Sequence, residues 1–355
     1  MSSKNLKAGS NPAITFGSDK AAAGLPAAVF SCRGVAAWSK VGVEIGKLMK
    51  LVLMAAAFLG LVKADSVELS AAESHLVVDH ESGHILVAKG EDTPRQVASL
   101  TKIATVMVVL EWIAENGGNF TDQIPVTKDA ISGGANPLAV KEGDQLPLET
   151  ALFAAMMASD NTSASAMAEA FGKKMDPAVS GLKAVAVFVE RMNLLAKDLA
   201  MERTRFINPH GLDGEEAQGV STASDMARLA IHAYDHPEFG RFCREKEKTV
   251  TVFRNGAAME VRLINTNELL GSRGIDGTKT GTTRRSGECL IASATGESGV
   301  GGSIGNRRLI SVVLKSGDRF RDAVLVLNQG WAACASWQAE GGVSETNDHL
   351  RKSVN

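Results

Sequence analysis

Three short polar clusters could do chemistry: Ser99-Leu100-Thr101-Lys102, Ser159-Asp160-Asn161 and Lys279-Thr280-Gly281. Ser99 and Lys102 stand three apart, and on a helix that spacing puts both side chains on one face. A serine hydroxyl is a weak nucleophile until a base takes its proton. Lysine serves as that base only when its pKa falls toward the working pH, which burial and a second nearby cation both achieve. Ile103, Ala104, Val106 and Met107 make the Lys102 segment apolar, so the lysine is expected to be buried, with Lys279 as the second cation. If Ser99 opens the helix, its backbone N–H can face a developing oxyanion. Ser159 could relay a proton to a leaving group. Asn161 could position a substrate amide and bond Lys102, while Asp160 only shapes the turn. Thr280 offers a hydroxyl, and Lys279 a positive charge, to a substrate carboxylate. Gly281 leaves room for a peptide-like backbone. Taken singly, these clusters also read as helix caps and turns. All three in this order, each at the edge of a suitable element, point to an acyl-transferring serine enzyme.

The elements that must position them follow from periodicity. Ser74–Asp79 and His84–Ala88 flank a Glu81-Ser82-Gly83 turn and predict a hairpin. Ser99–Trp112 is apolar on most faces and predicts a buried helix. Residues 117–147, rich in Gly, Asn, Asp and Pro, are expected to be loops. Helices are expected over Leu148–Met157, Asn161–Phe171, Val185–Leu199 and Ser224–Ala233, the last capped by Ser221 or Thr222. Thr249–Phe253 and Ala258–Ile264 alternate around Asn255-Gly256, a hairpin signal. Glu288–Thr295 and Arg307–Lys315 are two further strands, joined by a Gly/Ser loop without dinucleotide-binding spacing. Lys279-Thr280-Gly281 is expected on an edge strand lining a cleft, and Arg319–Trp337 closes the domain as a helix. Strands at both ends and helices in the middle imply an α/β (α+β type) sheet covered by the first and last helices, beside a helical subdomain.

Composition bounds the rest. The 355 residues are 45% hydrophobic and 22% charged, as in soluble globular proteins, with a net charge of -2. Nothing is basic enough for nucleic acid, and aromatics make up only 5%, with a single tyrosine, Tyr234. The first 64 residues hold eight Lys/Arg against two Asp/Glu, leaving a body of net charge about -8. Leu51–Val62 is an unbroken apolar run after Lys47 and Lys50 and before Lys63-Ala64-Asp65. This predicts a secretory signal within a leader of residues 1–64, too short to span a bilayer comfortably. Met49 would make a compact start to that signal, with residues 1–48 either ahead of the true start or an unusually long leading region. Residues 65–338 would form the catalytic domain and 339–355 a flexible tail. Cys32 falls in the leader. Cys243, Cys289 and Cys334 show neither C-x-x-C spacing nor a nearby His pair, so no metal and no cofactor is expected, and an odd count leaves at least one free thiol.

The three clusters, with Phe206–Leu212, Ser221–Leu229, Asp276–Thr283 and Arg308–Leu314, make the chain resemble the low-molecular-mass penicillin-binding proteins, the serine-type D-alanyl-D-alanine carboxypeptidases, over roughly residues 70–335. The resemblance implies a β-lactamase/transpeptidase-like fold: a five-stranded antiparallel sheet with helices on both faces, a helical subdomain, and the site between them. It implies Ser99 as the acylated nucleophile, Lys102 as its base, and Ser159 and Asn161 as the second-motif pair. Lys279 and Thr280 would be the third-motif pair, and the N–H groups of Ser99 and Thr282 the oxyanion hole. Arg319, rather than nearby Arg321, would help hold a terminal carboxylate, a bidentate role natural to arginine. His210 is expected to be a structural loop residue, with no partner Asp for a triad. The implied ligands are peptidoglycan stem peptides ending in D-Ala-D-Ala and β-lactams, in an exported, periplasmic or extracellular setting.

Some residues depart from the family pattern. Asp160 stands where these carboxypeptidases often carry Gly, and Gln329 where they often carry Trp. A β-lactamase would need a general-base Glu after the second motif, but Asn208-Pro209-His210-Gly211 occupies that stretch. No amphipathic anchor precedes Asn355, so membrane attachment by that route is not expected. A DD-endopeptidase would use the same residues and is the nearest alternative. A β-lactamase or a non-catalytic wall-binding protein fits less well.

Overall fold

Residues 70–131, 133–214, 218–296, 307–342 and 350–351 are described by the structure, a computed structural model. The predicted leader with its signal, Cys32, most of the Gly/Ser loop and most of the tail lie outside the described residues.

The first sheet joins the two ends of the domain. Strands β1 (Ser74–Asp79) and β2 (Ile85–Lys89) form the expected hairpin. Strands β7 (Ile275–Thr283), β8 (Gly287–Thr295) and β9 (Arg308–Ser316) complete five antiparallel strands in the order β2-β1-β9-β8-β7. Both faces are covered. Ile310, Val312 and Leu314 of β9 turn toward the main core, while Leu309 and Val313 turn toward a second core. That alternation is the period-two geometry of a strand buried on both sides. Helix α1 (Lys102–Asn116) lies in the main core with every residue from Lys102 to Leu110 buried. It ends at Gly117, whose φ of 73° suits a left-handed C-terminal cap.

The middle of the chain supplies α2 (Lys128–Ile131), α3 (Leu148–Met157), α4 (Asn161–Met175), α5 (Leu182–Asp198) and α6 (Ala223–Asp235). Thr222, not Ser221, caps α6 by accepting from the Asp225 N–H at 3.0 Å. Helix α7 (Arg319–Ala339) closes the outer face of the sheet, packing Ala323, Val326, Leu327 and Cys334 onto it.

Three features depart from the sequence expectation. Ser99 does not open the α-helix: it sits in a 3-10 turn, Ala98–Thr101, and α1 starts at Lys102. Residues 117–147 are not all loop, for they carry α2 and the short strands β3 (Gln123–Pro125) and β4 (Gln145–Pro147). Those strands join the Asn255-Gly256 hairpin, β5 (Glu247–Arg254) and β6 (Ala257–Ile264), in a second sheet of order β3-β4-β5-β6. Finally, two residues of the predicted tail return to the body. Leu350 is buried and its N–H bonds the Gly83 carbonyl at 2.9 Å, while Arg351 grips Asp235 through both guanidinium nitrogens. No helix among the described residues is long and apolar enough to cross a membrane.

Candidate active site

The 3-10 turn, the α3–α4 junction and the free edge of β7 converge on Ser99. Lys102, first residue of α1 and fully buried, is the hub. Its Nζ lies 2.9 Å from Ser99 Oγ and 3.5 Å from Ser159 Oγ. It donates to Asn161 Oδ1 at 2.6 Å and to the His210 carbonyl at 3.1 Å. Burial lowers the Lys102 pKa from 10.5 to about 7, with nearby Asp160 acting the other way. Half the amines are then neutral near neutral pH, each with a lone pair within reach of the Ser99 hydroxyl proton.

Lys279 is the second buried lysine, and its pKa is held well below the usual value by burial first, then by the charges of Lys102 and Arg319. The expectation that Lys279 would depress Lys102 is therefore corrected. Burial governs both amines, and Lys279 feels the charge of Lys102. The two amines oppose one another's charge in this pocket, and a bound anion would favour the charged form of Lys279. Its Nζ donates to the Thr280 carbonyl at 2.9 Å.

The second cluster sits on a sharp bend. Ser159 has φ of 58°, an uncommon conformation for a residue with a side chain, and it turns the chain from α3 into α4. Asp160 caps α4, accepting from the Ser163 N–H at 2.7 Å, and its other oxygen accepts from the Leu138 N–H at 3.1 Å. Its role is to fix the bend that carries Ser159 and Asn161, as its place in the sequence suggests.

Strand β7 is an edge strand, paired with β8 on one side only, and the 3-10 turn packs close to it. Gly281 makes that approach possible: a Cβ there would stand 3.0 Å from both the Ser99 nitrogen and the Val97 oxygen. The Ser99 N–H and the β7 segment that includes Thr282 thus lie side by side, where two N–H groups can face one oxyanion. Behind β7, Tyr234 OH bonds Thr278 Oγ1 at 2.8 Å and Asn267 Nδ2 donates to the Gly277 carbonyl at 2.9 Å, pinning the strand. On the outer side, Arg319 Nη1 donates to the Gly281 carbonyl at 3.0 Å and to Thr282 Oγ1 at 2.7 Å. Arg321 is exposed, so of the two arginines Arg319 stands at the third cluster.

All nine site residues predicted from sequence meet here: Ser99, Lys102, Ser159, Asn161, Lys279, Thr280, Gly281, Thr282 and Arg319. His210 contributes its carbonyl, not its ring. Burial and the Lys102 charge push the imidazole pKa down to about 3, and its Nδ1 accepts from the Leu212 N–H. Three contributors were not foreseen. The His210 carbonyl is a backbone group and carries no sequence signal. Thr266, 2.6 Å from Thr280 Oγ1, lies 14 residues away in a segment with no motif. Glu288 accepts from the Arg319 N–H at 3.1 Å and faces its guanidinium. Cys243, Cys289 and Cys334 are free and buried, and no group of residues among those described could hold a metal ion.

The chain is similar to known proteins in sequence and in fold. The Bacillus subtilis protein named D-alanyl-D-alanine carboxypeptidase DacF is 30% identical over 243 residues, 68% of this chain and 57% of the relative. A Pseudomonas aeruginosa protein named D-alanyl-D-alanine endopeptidase is 30% identical over 230 residues, 63% of this chain and 67% of the relative. The chain thus spans between about half and two thirds of these relatives. Among solved structures, the Streptomyces K15 DD-transpeptidase matches with a TM-score of 0.67 at 26% identity, covering 75% of this chain and 98% of that one. Penicillin-binding protein D2 from Listeria monocytogenes, in its cefotaxime-bound form, matches with a TM-score of 0.61 at 28% identity, covering 74% and 98%. The fold is therefore the β-lactamase/transpeptidase type expected from the sequence. Residues 62–317 match the family described as D-alanyl-D-alanine carboxypeptidase, peptidase family S11, and the chain belongs to that family.

Proposed function

We propose that the protein is a serine DD-carboxypeptidase of the cell envelope that removes the terminal D-alanine from peptidoglycan stem peptides. The observation that carries this reading is the buried Lys102 amine, with a pKa lowered to about 7, 2.9 Å from Ser99 Oγ. Neutral Lys102 takes the Ser99 proton as Oγ attacks the carbonyl between the two terminal D-Ala residues. The N–H groups of Ser99 and Thr282 hold the oxyanion. Lys279, Thr280 and Arg319 hold the substrate's terminal carboxylate, and Asn161 positions Lys102 and the substrate amide. The proton passes through Lys102 and Ser159 to the leaving amine, the C–N bond breaks, and D-Ala departs. Water then attacks the ester, its proton returns to Ser99 Oγ, and the shortened peptide is released. No metal or cofactor enters these steps. A β-lactam opens on the same serine and leaves slowly. The basic leader and apolar run 51–62 support export to the periplasm or outer surface.

Intact-mass measurement with benzylpenicillin tests the mechanism. One lasting adduct is expected on the parent chain and none on Ser99→Ala, with D-Ala released from a D-Ala-D-Ala peptide. Rapid loss of the adduct with penicillin consumed would mean a β-lactamase, and no adduct at all a non-catalytic wall-binding protein. A second reading, cleavage of cross-links, is favoured by the similarity to the Pseudomonas protein named as an endopeptidase. Products from cross-linked muropeptides separate the two.

A further inference from the structure

One carboxylate at the third cluster has no part in the proposed reaction. Thr280 and Thr282 stand two apart on β7, so their side chains share one face of the strand, about 6.6 Å apart along it. Glu288 is the residue directly opposite Thr282 on β8, and directly opposite residues share a face as well. Arg319, the first residue of α7, is bonded to both strands. Its Nη1 donates to Thr282 Oγ1 at 2.7 Å and to the Gly281 carbonyl at 3.0 Å. Glu288 Oε2 accepts from the Arg319 backbone N–H at 3.1 Å and stands 3.5 Å from its Nε. That contact is the one ion pair of Arg319 among the described residues, and its Nη2 makes no hydrogen bond among them.

This arrangement sets two carboxylates against one guanidinium. In the proposed reaction the substrate's terminal carboxylate sits at Thr280, on the face that Thr282, Glu288 and Arg319 share. It is drawn by the positive charge of Arg319 and repelled by the negative charge of Glu288, already in place on the Nε side. The Glu288 side chain is 37% exposed, so it is free to change without disturbing the core. It also answers the N–H at the start of α7, a position that suits an acid. The carboxylate thus holds Arg319 against the sheet and spends part of its charge before any substrate arrives.

We propose that Glu288 sets specificity through Arg319: it partly neutralises the guanidinium that meets the substrate's terminal carboxylate, and so limits the preference for peptides that end in a free carboxylate. The inference rests on the DD-carboxypeptidase reading. The test uses the full chain with diacetyl-L-lysyl-D-alanyl-D-alanine and its C-terminal amide. The readout is kcat and KM for release of D-alanine or D-alaninamide. Glu288→Gln keeps an oxygen for the Arg319 N–H and removes the charge, while Glu288→Lys reverses it. The acid-to-amide ratio of kcat/KM should rise roughly two- to fivefold from Glu to Gln, as for a partly exposed ion pair, and rise again from Gln to Lys. The change should lie in KM for the acid rather than in kcat, and shrink in about 0.5 M salt as charges are screened. On an Arg319→Ala background Glu288→Gln should lose most of this gain. If Glu288 serves only to anchor Arg319, the order reverses: KM for the acid climbs from Glu to Gln to Lys. That order, an equal change on acid and amide, or a gain that survives Arg319→Ala overturns the proposal. Benzylpenicillin acylation runs in parallel. An adduct with D-alanine release but no charge order removes the role of Glu288 alone, whereas no adduct and no release removes the reading beneath it as well.

Discussion

At the scale of single residues, the site is governed by two amines taken out of water. Desolvation disfavours the ammonium, and the neighbours of Lys102 are hydroxyls, an amide oxygen and a carbonyl, with only Asp160 restoring charge. A base must be unprotonated to act, so acylation of Ser99 should be slow in acid and rise as Lys102 deprotonates. The rate of penicillin acylation should climb with pH through a limb centred near 7 and level off above it. Stopped-flow acylation across pH 5.5–9 checks this, with roughly tenfold loss for each pH unit below the limb. A flat profile would show that Lys102 is not the base. The residue types and spacings announced this chemistry because each motif is local. The burial that tunes Lys102 was also legible in the apolar residues around it, but the coupling was not: the amine expected to depress Lys102 is itself depressed by it.

At the scale of elements, the bend between α3 and α4 does for Ser159 and Asn161 what the 3-10 turn does for Ser99. Asp160 anchors the bend with two amide hydrogen bonds in a buried place. Asp160→Ala should cost about 1–3 kcal/mol in urea unfolding, because a cap and a buried acceptor are lost together. Its acylation rate should fall too, as Asn161 lets go of Lys102. Asp160→Asn keeps an acceptor for the Ser163 N–H and should lose less on both counts. Equal losses for Ala and Asn would refute the capping role. Long elements were readable from sequence: α1, α4, α6 and the β5–β6 hairpin carry strong periodicity or turn signals. Strands β3 and β4 were not. Each has three residues and ends in proline, too short for alternation to register, and only pairing makes them strands, β3 with β4 and β4 with β5 across about a hundred residues. The early start of α1 was expected because Ser99 looks like a cap, but Ala98 at φ of 48° bends the backbone, and the turn tightens to 3-10.

At the scale of the whole molecule, the C-terminal return ties distant parts together. Leu350 joins the main core, its carbonyl accepts from Arg228 at 2.7 Å, and Arg351 bridges the His80 carbonyl to Asp235. Leu350→Ala with Arg351→Ala should lower stability by about 1–3 kcal/mol, nearly all from the leucine, since the arginine pair is partly exposed. Thermal melting measures this, and the penicillin acylation rate should not change, as both residues lie apart from the Ser99 cluster. An unchanged melting temperature would show that the return is not held in solution. Sequence placed these residues in a polar tail because one leucine in such a stretch carries no periodicity.

The place of β1 inside the first sheet has a consequence for the order of events in the cell. The strand β1 lies between β2 and β9, and Leu76 pairs with Val312, some 235 residues later. The nascent chain therefore cannot close its central sheet until β9 has left the ribosome. Such distant pairing makes folding slow. The same topology that joins the two ends of the domain therefore delays its completion.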